Sequence, residues 1–145
     1  MHAGLQENTA ASFLESQVSP DISSRIGLID LIRNGFSIKL IEEIVRATGL
    51  SLKDLTDYGV IAARTLTHSR QSGRFSAIQS DRLARFFRIF NMTNETFGNT
   101  DKAKHWLNRN TRALNGLKPV ELLDTEEGAR LVEDLLHRIG HGLGT

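Results

Sequence analysis

Ser37-Ile-Lys-Leu-Ile-Glu-Glu-Ile-Val-Arg-Ala-Thr-Gly49, followed after Leu50 by Ser51-Leu-Lys-Asp54, decides the fold class. Ile38, Ile41, Val45 and Thr48 recur at i, i+3, i+7 and i+10, which puts them on one face of an α-helix. Leu40 and Ile44 widen that stripe. Ser37 is a natural N-cap and Gly49 a natural C-cap. Ser51 and Asp54 have the spacing of a capping box, which opens a second short helix running to about Tyr58 and meeting Gly59. A third helix covers roughly residues 61–70 and ends near Ser72-Gly73.

The helical period continues outward in both directions. Upstream, Ile26, Leu28, Ile29, Leu31 and Ile32 mark a short apolar helix stopped near Asn34-Gly35. Residues 1–24 are rich in Ser, Gln, Asn and Ala, with weak periodicity and Pro20 near their end. They read as a flexible arm with a helical turn around residues 12–16. Downstream, Ser80-Asp81 is the expected cap of a longer helix that carries Leu83, Phe86, Phe87 and Phe90 inward and continues toward Phe97-Gly98. Thr100-Asp101 opens another, with Ala103, Trp106 and Leu107 as its apolar positions. Pro119 takes a first helical position before residues 120–123. Thr125-Glu126-Glu127 starts the last helix, with both carboxylates at its positive end. Its apolar positions are Leu131, Val132, Leu135, Leu136 and Ile139, and the glycines from Gly140 onward end it in a flexible tail. No segment sustains period-2 alternation. The fold class is all-α, with seven or eight short helices.

At 145 residues the chain makes one domain or two very small ones. It has no cysteine, which excludes disulfides, thiolate metal sites and a Cys nucleophile. No run of 18 apolar residues occurs, and the N-terminus lacks a basic stretch followed by an apolar block. A cytoplasmic protein with no membrane partner is expected. The net charge of +1 is uninformative, but its distribution is not. Residues 61–90 hold Arg64, Arg70, Arg74, Arg82, Arg85 and Arg88 against Asp81 alone, between flanks of net acidic charge. That is the footprint of a polyanion-binding patch, with a merely solvated helix face as the alternative.

Catalytic spacings are missing: no phosphate-binding loop, dinucleotide fingerprint, nucleophile elbow or HExxH occurs. His137 and His141 are four apart and can share a helix face, but no acidic or histidine ligand stands at a supporting distance in the sequence. Glu126 and Glu127 are adjacent, diverge on a helix and read as caps. Trp106 reads as a core anchor. A binding protein is expected, with no enzyme activity and no cofactor.

The helices over residues 51–58 and 61–70 have helix-turn-helix proportions. Ile61 and Leu66, with Ala62, can face the core. Arg64, Thr67 and His68, with Arg70 beyond, can face outward, and long basic and short hydroxyl side chains are what a major-groove helix uses.

Lys104-His105-Trp106-Leu107, then residues 113–125 (Ala-Leu-Asn-Gly-Leu-Lys-Pro-Val-Glu-Leu-Leu-Asp-Thr), Gly128-Ala129-Arg130 and Arg138-Ile139 resemble the toxin-binding domain of Xre/MbcA/ParS-type antitoxins. The Xre-like helical domain of that family is similar to residues 37–90, with Arg64-Thr65-Leu66 as the clearest match. Asn110 stands where the family usually has Pro, and Asn115 where it has the first Gly of a Gly-Gly turn, a residue able to keep a left-handed conformation. Thr56 replaces a small Ala and Val60 the turn Gly, with Gly59 one position early.

The resemblance implies an antitoxin of a type II toxin–antitoxin operon. Its expected partner is a RES-domain toxin that consumes NAD or transfers ADP-ribose. In such pairs the C-terminal segment blocks the toxin active site, and the antitoxin binds operator DNA and represses its own operon, here as a homodimer within a larger complex. Residues 1–24 become a flexible arm, 25–98 an Xre-like helix-turn-helix and dimerisation domain, and 99–145 the toxin-binding domain with its inhibitory tail. The residues implied for DNA are Arg64, Thr65, Thr67, His68 and Arg70. Those implied for the toxin are Arg138, Ile139, His141, Gly142, Leu143, Gly144 and Thr145. The competing expectation is a helix-turn-helix regulator whose C-terminal helices only dimerise, with no toxin partner.

Overall fold

The structure, a computed structural model, describes residues 9–142. In those residues the chain forms α1 (Ala10–Val18), α2 (Ile22–Asn34), α3 (Ile38–Thr48), α4 (Leu52–Asp57), α5 (Ala63–Ser72), α6 (Ala77–Phe97), α7 (Thr100–Leu107), two 3₁₀ turns at Arg112–Leu114 and Pro119–Leu122, and α8 (Glu126–Gly140). Among the described residues there is no strand, only isolated bridges between Ser37 and Arg74 and between Thr111 and Leu117. No helix among them is long and apolar enough to cross a membrane.

The boundaries follow from local chemistry. Ser37 accepts from the Leu40 N–H, and Gly49 closes α3 in the left-handed region at φ 80°. Ser51 and Asp54 satisfy each other's backbone N–H groups at the head of α4. Thr125 caps α8 by accepting from Gly128 N. The buried side of α3 is Leu40, Ile41, Ile44 and Val45.

The organising element is α6. Leu83, Phe86, Phe87, Ile89 and Phe90 are all but inaccessible to water, and α2, α7 and α8 all pack on this helix. Phe86 and Phe87 meet edge to face at 5.6 Å, and Phe86 stacks on Phe90 at 6.0 Å. One continuous apolar cluster runs from Phe13 through Phe36, Ile41 and Leu55 to Trp106, Val132 and Leu136. The N-terminal and C-terminal halves therefore share one core.

Two expectations are corrected. Of the segment expected as a flexible arm, residues 1–8 lie outside the described residues, but residues 10–18 are helix, capped by Thr9. Phe13 is 1% exposed and sits edge-on to Phe36 at 5.3 Å and to Phe87 at 6.1 Å. Phe13 is the one buried residue of this helix, with Ala10 and Leu14 half-buried beside it, so its period is faint. The second correction is the start of α6. Ser76 and Gln79 form the capping box, one turn before Ser80. Ser80 is buried and its hydroxyl accepts from the Phe36 N–H at 2.8 Å, tying α6 to the start of α3.

Candidate functional site

The turn between α4 and α5 is fixed from the inside. Tyr58 N donates to Asp54 O at 2.9 Å, and Val60 N to Leu55 O at 3.0 Å. Gly59 takes φ 76°, and Val60 and Ile61 are buried beneath the turn. Val60 at the usual glycine position thus anchors the turn, while Gly59 supplies the left-handed residue. The buried side of α5 is Leu66 and Ser69, and Ala62, expected to face the core, is an exposed N-cap.

Arg64, Thr67 and His68 are exposed on the outer side of α5, as their spacing requires. Gln71, seven residues after Arg64, completes that stripe and is also exposed. Sequence reasoning stopped one turn short of it, although the i+7 spacing was available. Arg70 is exposed on the flank of the stripe, and Thr65 is half-buried on the other flank. The Thr67 hydroxyl donates to Ala63 O at 3.1 Å.

The basic middle of the chain is narrower in space than in sequence. Arg85 pairs with Asp81 at 2.7 Å and Glu126 at 3.4 Å, and donates to Leu123 O at 3.3 Å. Arg88 bridges Glu126 at 3.0 Å and Glu133 at 3.3 Å. These two arginines clamp α6 to α8 and are not part of an open patch. Arg74 donates to Gly35 O. What remains outward on α5 is Arg64, His68 and Arg70.

The C-terminal half is locked onto this module. Lys104 on α7 pairs with Asp54 on α4 at 3.2 Å. Tyr58 lies 6.2 Å from Phe86, and burial, aided by the Asp54 carboxylate, pushes its hydroxyl up to about 12. Trp106 is 5% exposed and packs against Phe97 at 5.7 Å, as a core anchor. The departure at Asn110 is offset locally, since its amide donates to Gly116 O at 2.7 Å and closes the loop. Asn115 is left-handed, at φ 57°.

At the end of α8, Arg138 is exposed, while Ile139 is half-buried and packs on the core. Leu131, expected on the apolar side, is 46% exposed. The His141 ring nitrogen lies 2.7 Å from His137 O, and Gly142 N donates to Ile139 O at 3.0 Å with Gly142 at φ 74°. Leu143, Gly144 and Thr145 lie outside the described residues. Among the described residues no group of three His, Cys, Asp or Glu is placed to hold a metal ion.

Comparison with known proteins accounts for this arrangement. Residues 27–88 match the model of the antitoxin Xre-like helix-turn-helix domain, and residues 92–142 that of the antitoxin Xre/MbcA/ParS C-terminal toxin-binding domain. The two matches meet inside α6. A DNA-binding helix-turn-helix module joined to a toxin-binding domain defines the antitoxin component of a toxin–antitoxin system. Curated proteins named Antitoxin Xre are similar over most of their length. The one from Yersinia enterocolitica is 36% identical over 128 residues, 80% of each chain, and the one from Photorhabdus laumondii is 32% identical over 117 residues, 78% of each chain. A third, from Pseudomonas putida, is 29% identical over 126 residues, 86% of this chain and 78% of its own. The chain belongs to the Xre antitoxin family.

Proposed function

We propose that this antitoxin neutralises a RES-type toxin, one that consumes NAD or transfers ADP-ribose, by placing the segment after α8 in the toxin's active site. It acts without catalysis of its own, as a cytoplasmic homodimer within the toxin complex, and represses its operon by laying the outer face of α5 on operator DNA.

The observation that carries the reading is the toxin-binding match, which runs through α8 to residue 142. Arg138 is exposed there, and the glycines that follow offer little side-chain bulk to a narrow nucleotide site. Fixing any peptide segment in a partner's site costs conformational entropy, which apolar contact elsewhere in the interface must offset. For DNA, the support is the outward stripe of Arg64, Thr67, His68 and Gln71, with Arg70 beside it.

Co-expression with the RES-type product of an adjacent gene tests the toxin half. A stable co-purifying complex is expected, and a toxin that elutes free would overturn it. A gel shift on the promoter of its own operon tests the other half. Arg64→Ala should weaken binding by about 1–3 kcal/mol if the guanidinium reads a base. If it touches only phosphate, affinity falls across all sequences and the salt slope drops by about one. Wild-type affinity and salt slope would remove Arg64 from the DNA face.

A further inference from the structure

Four large apolar side chains stand in water on the N-terminal pair of helices. Val18 closes α1 at 66% exposed, and Ile22, Ile26 and Ile29 on α2 are 67%, 52% and 44% exposed. The three isoleucines fall at i, i+4 and i+7, a single stripe. The core contacts of the same helix come from Leu28, Leu31 and Ile32. The helix thus carries two apolar sides, and the protomer uses one. Single exposed apolar residues are ordinary on a protein surface, but a periodic run of them marks a contact.

The charges beside the stripe show what kind of contact. Arg25 flanks it on one side and Asp30 on the other, five residues later. Both are exposed, and among the described residues neither makes an ion pair. When two copies of a helix pair in parallel through such a stripe, the flanking residue of one helix meets the residue five further on in the other. That brings Arg25 against Asp30 in both directions. In an antiparallel pair the same flanks meet their own copies, arginine against arginine and aspartate against aspartate, and repel.

We propose that the occupant of this face is a second copy of the chain, its α2 parallel to the first. Ile22, Ile26 and Ile29 form the seam, and Arg25 of each protomer pairs with Asp30 of the partner subunit. Arg33, which follows on the stripe, would face its own copy, so the seam ends at Ile29. The surface rests on the homodimer reading above and gives that dimer its interface and polarity.

The absence of cysteine makes a direct test available, because an introduced thiol is the only one in the chain. Ile22→Cys, Ile26→Cys and Ile29→Cys are each oxidised in the full-length protein, with Glu127→Cys on α8 as an exposed control. A parallel seam brings every such position against its own copy, within the reach of a disulfide. All three are then expected to run as covalent dimers on a non-reducing gel, and the control as a monomer. Cross-linking at residue 26 alone would overturn the parallel pairing, since an antiparallel seam sets residue 22 against 29.

Light scattering separates this proposal from the homodimer reading. Ile26→Glu should give a monomer with an unchanged helical spectrum. Arg25→Asp should weaken self-association about tenfold, and Arg25→Asp with Asp30→Arg should restore it. A dimer that survives Ile26→Glu overturns this surface and leaves the homodimer. A wild-type protein that is monomeric at high concentration overturns both.

Discussion

At Gly128 a single methyl group has nowhere to go. It sits in the first turn of α8, and a Cβ built there would lie 1.8 Å from the Leu122 carbonyl oxygen and 2.8 Å from its carbon. In an open helix Gly→Ala gains up to about 1 kcal/mol. Here the neighbour is backbone of the preceding 3₁₀ turn, which cannot rotate aside, so Gly128→Ala is expected to lose about 1–3 kcal/mol. A thermal melt reads the sign directly, and an equal or higher Tm would show that the turn yields. Tyr58 gives a second prediction at this scale. Its hydroxyl is raised to about 12 from the ordinary 10.0, chiefly by burial and then by the Asp54 carboxylate. The folded state therefore holds the phenolic proton more tightly than the unfolded chain. The stability linked to this group is complete below pH 10 and is lost as pH rises from 10 toward 12. Denaturant melts across that window should show a fall that Tyr58→Phe reduces, and an identical fall in the variant would clear Tyr58.

At the scale of elements, the local signals were legible and the distant ones were not. The cap of α3, the capping box of α4 and the Thr125 cap rest on residues within four positions of one another, so spacing alone reveals them, whereas the left-handed Asn115 was legible only through the family resemblance. The start of α6 was misplaced because Ser76 and Ser80 are both able to cap. The choice between them is made by Phe36 N, 44 residues away, which takes the Ser80 hydroxyl. The arginine run misled for the same reason. The charges of Arg85 and Arg88 are plain in the sequence, but Glu126, which claims both, lies 41 and 38 residues further on. Helix α1 depends on Phe13 entering a pocket made by Phe36 and Phe87, which no local period announces. The outer stripe of α5 was read nearly whole, because exposure on a helix follows from its period. Helix α6 also carries a prediction. It belongs to both matched domains, and α7 and α8 pack on it. A fragment of residues 92–142 loses Leu83, Phe86, Phe87, Ile89 and Phe90, and is expected to show no cooperative melt by circular dichroism. A sharp transition in that fragment would mean that the C-terminal half keeps a core of its own.

For the whole molecule, the shared core makes the DNA-facing and toxin-facing parts one body. The Lys104–Asp54 pair and the Arg85 and Arg88 clamp on Glu126 join them at the surface as well. Neutralisation is nevertheless proposed for the segment beyond α8, so separation of the two activities is the sharpest consequence of that proposal. The direct measurement is growth of cells that express the RES-type toxin together with this protein lacking Gly142–Thr145, at antitoxin levels matched to wild type. Because α8 ends at Gly140, the truncated protein should keep its melting temperature and its operator binding. Those cells should stop growing while cells with the full chain grow. Growth rescued equally well by the truncated protein would contradict the proposal, and would move neutralisation onto the folded face of the toxin-binding domain.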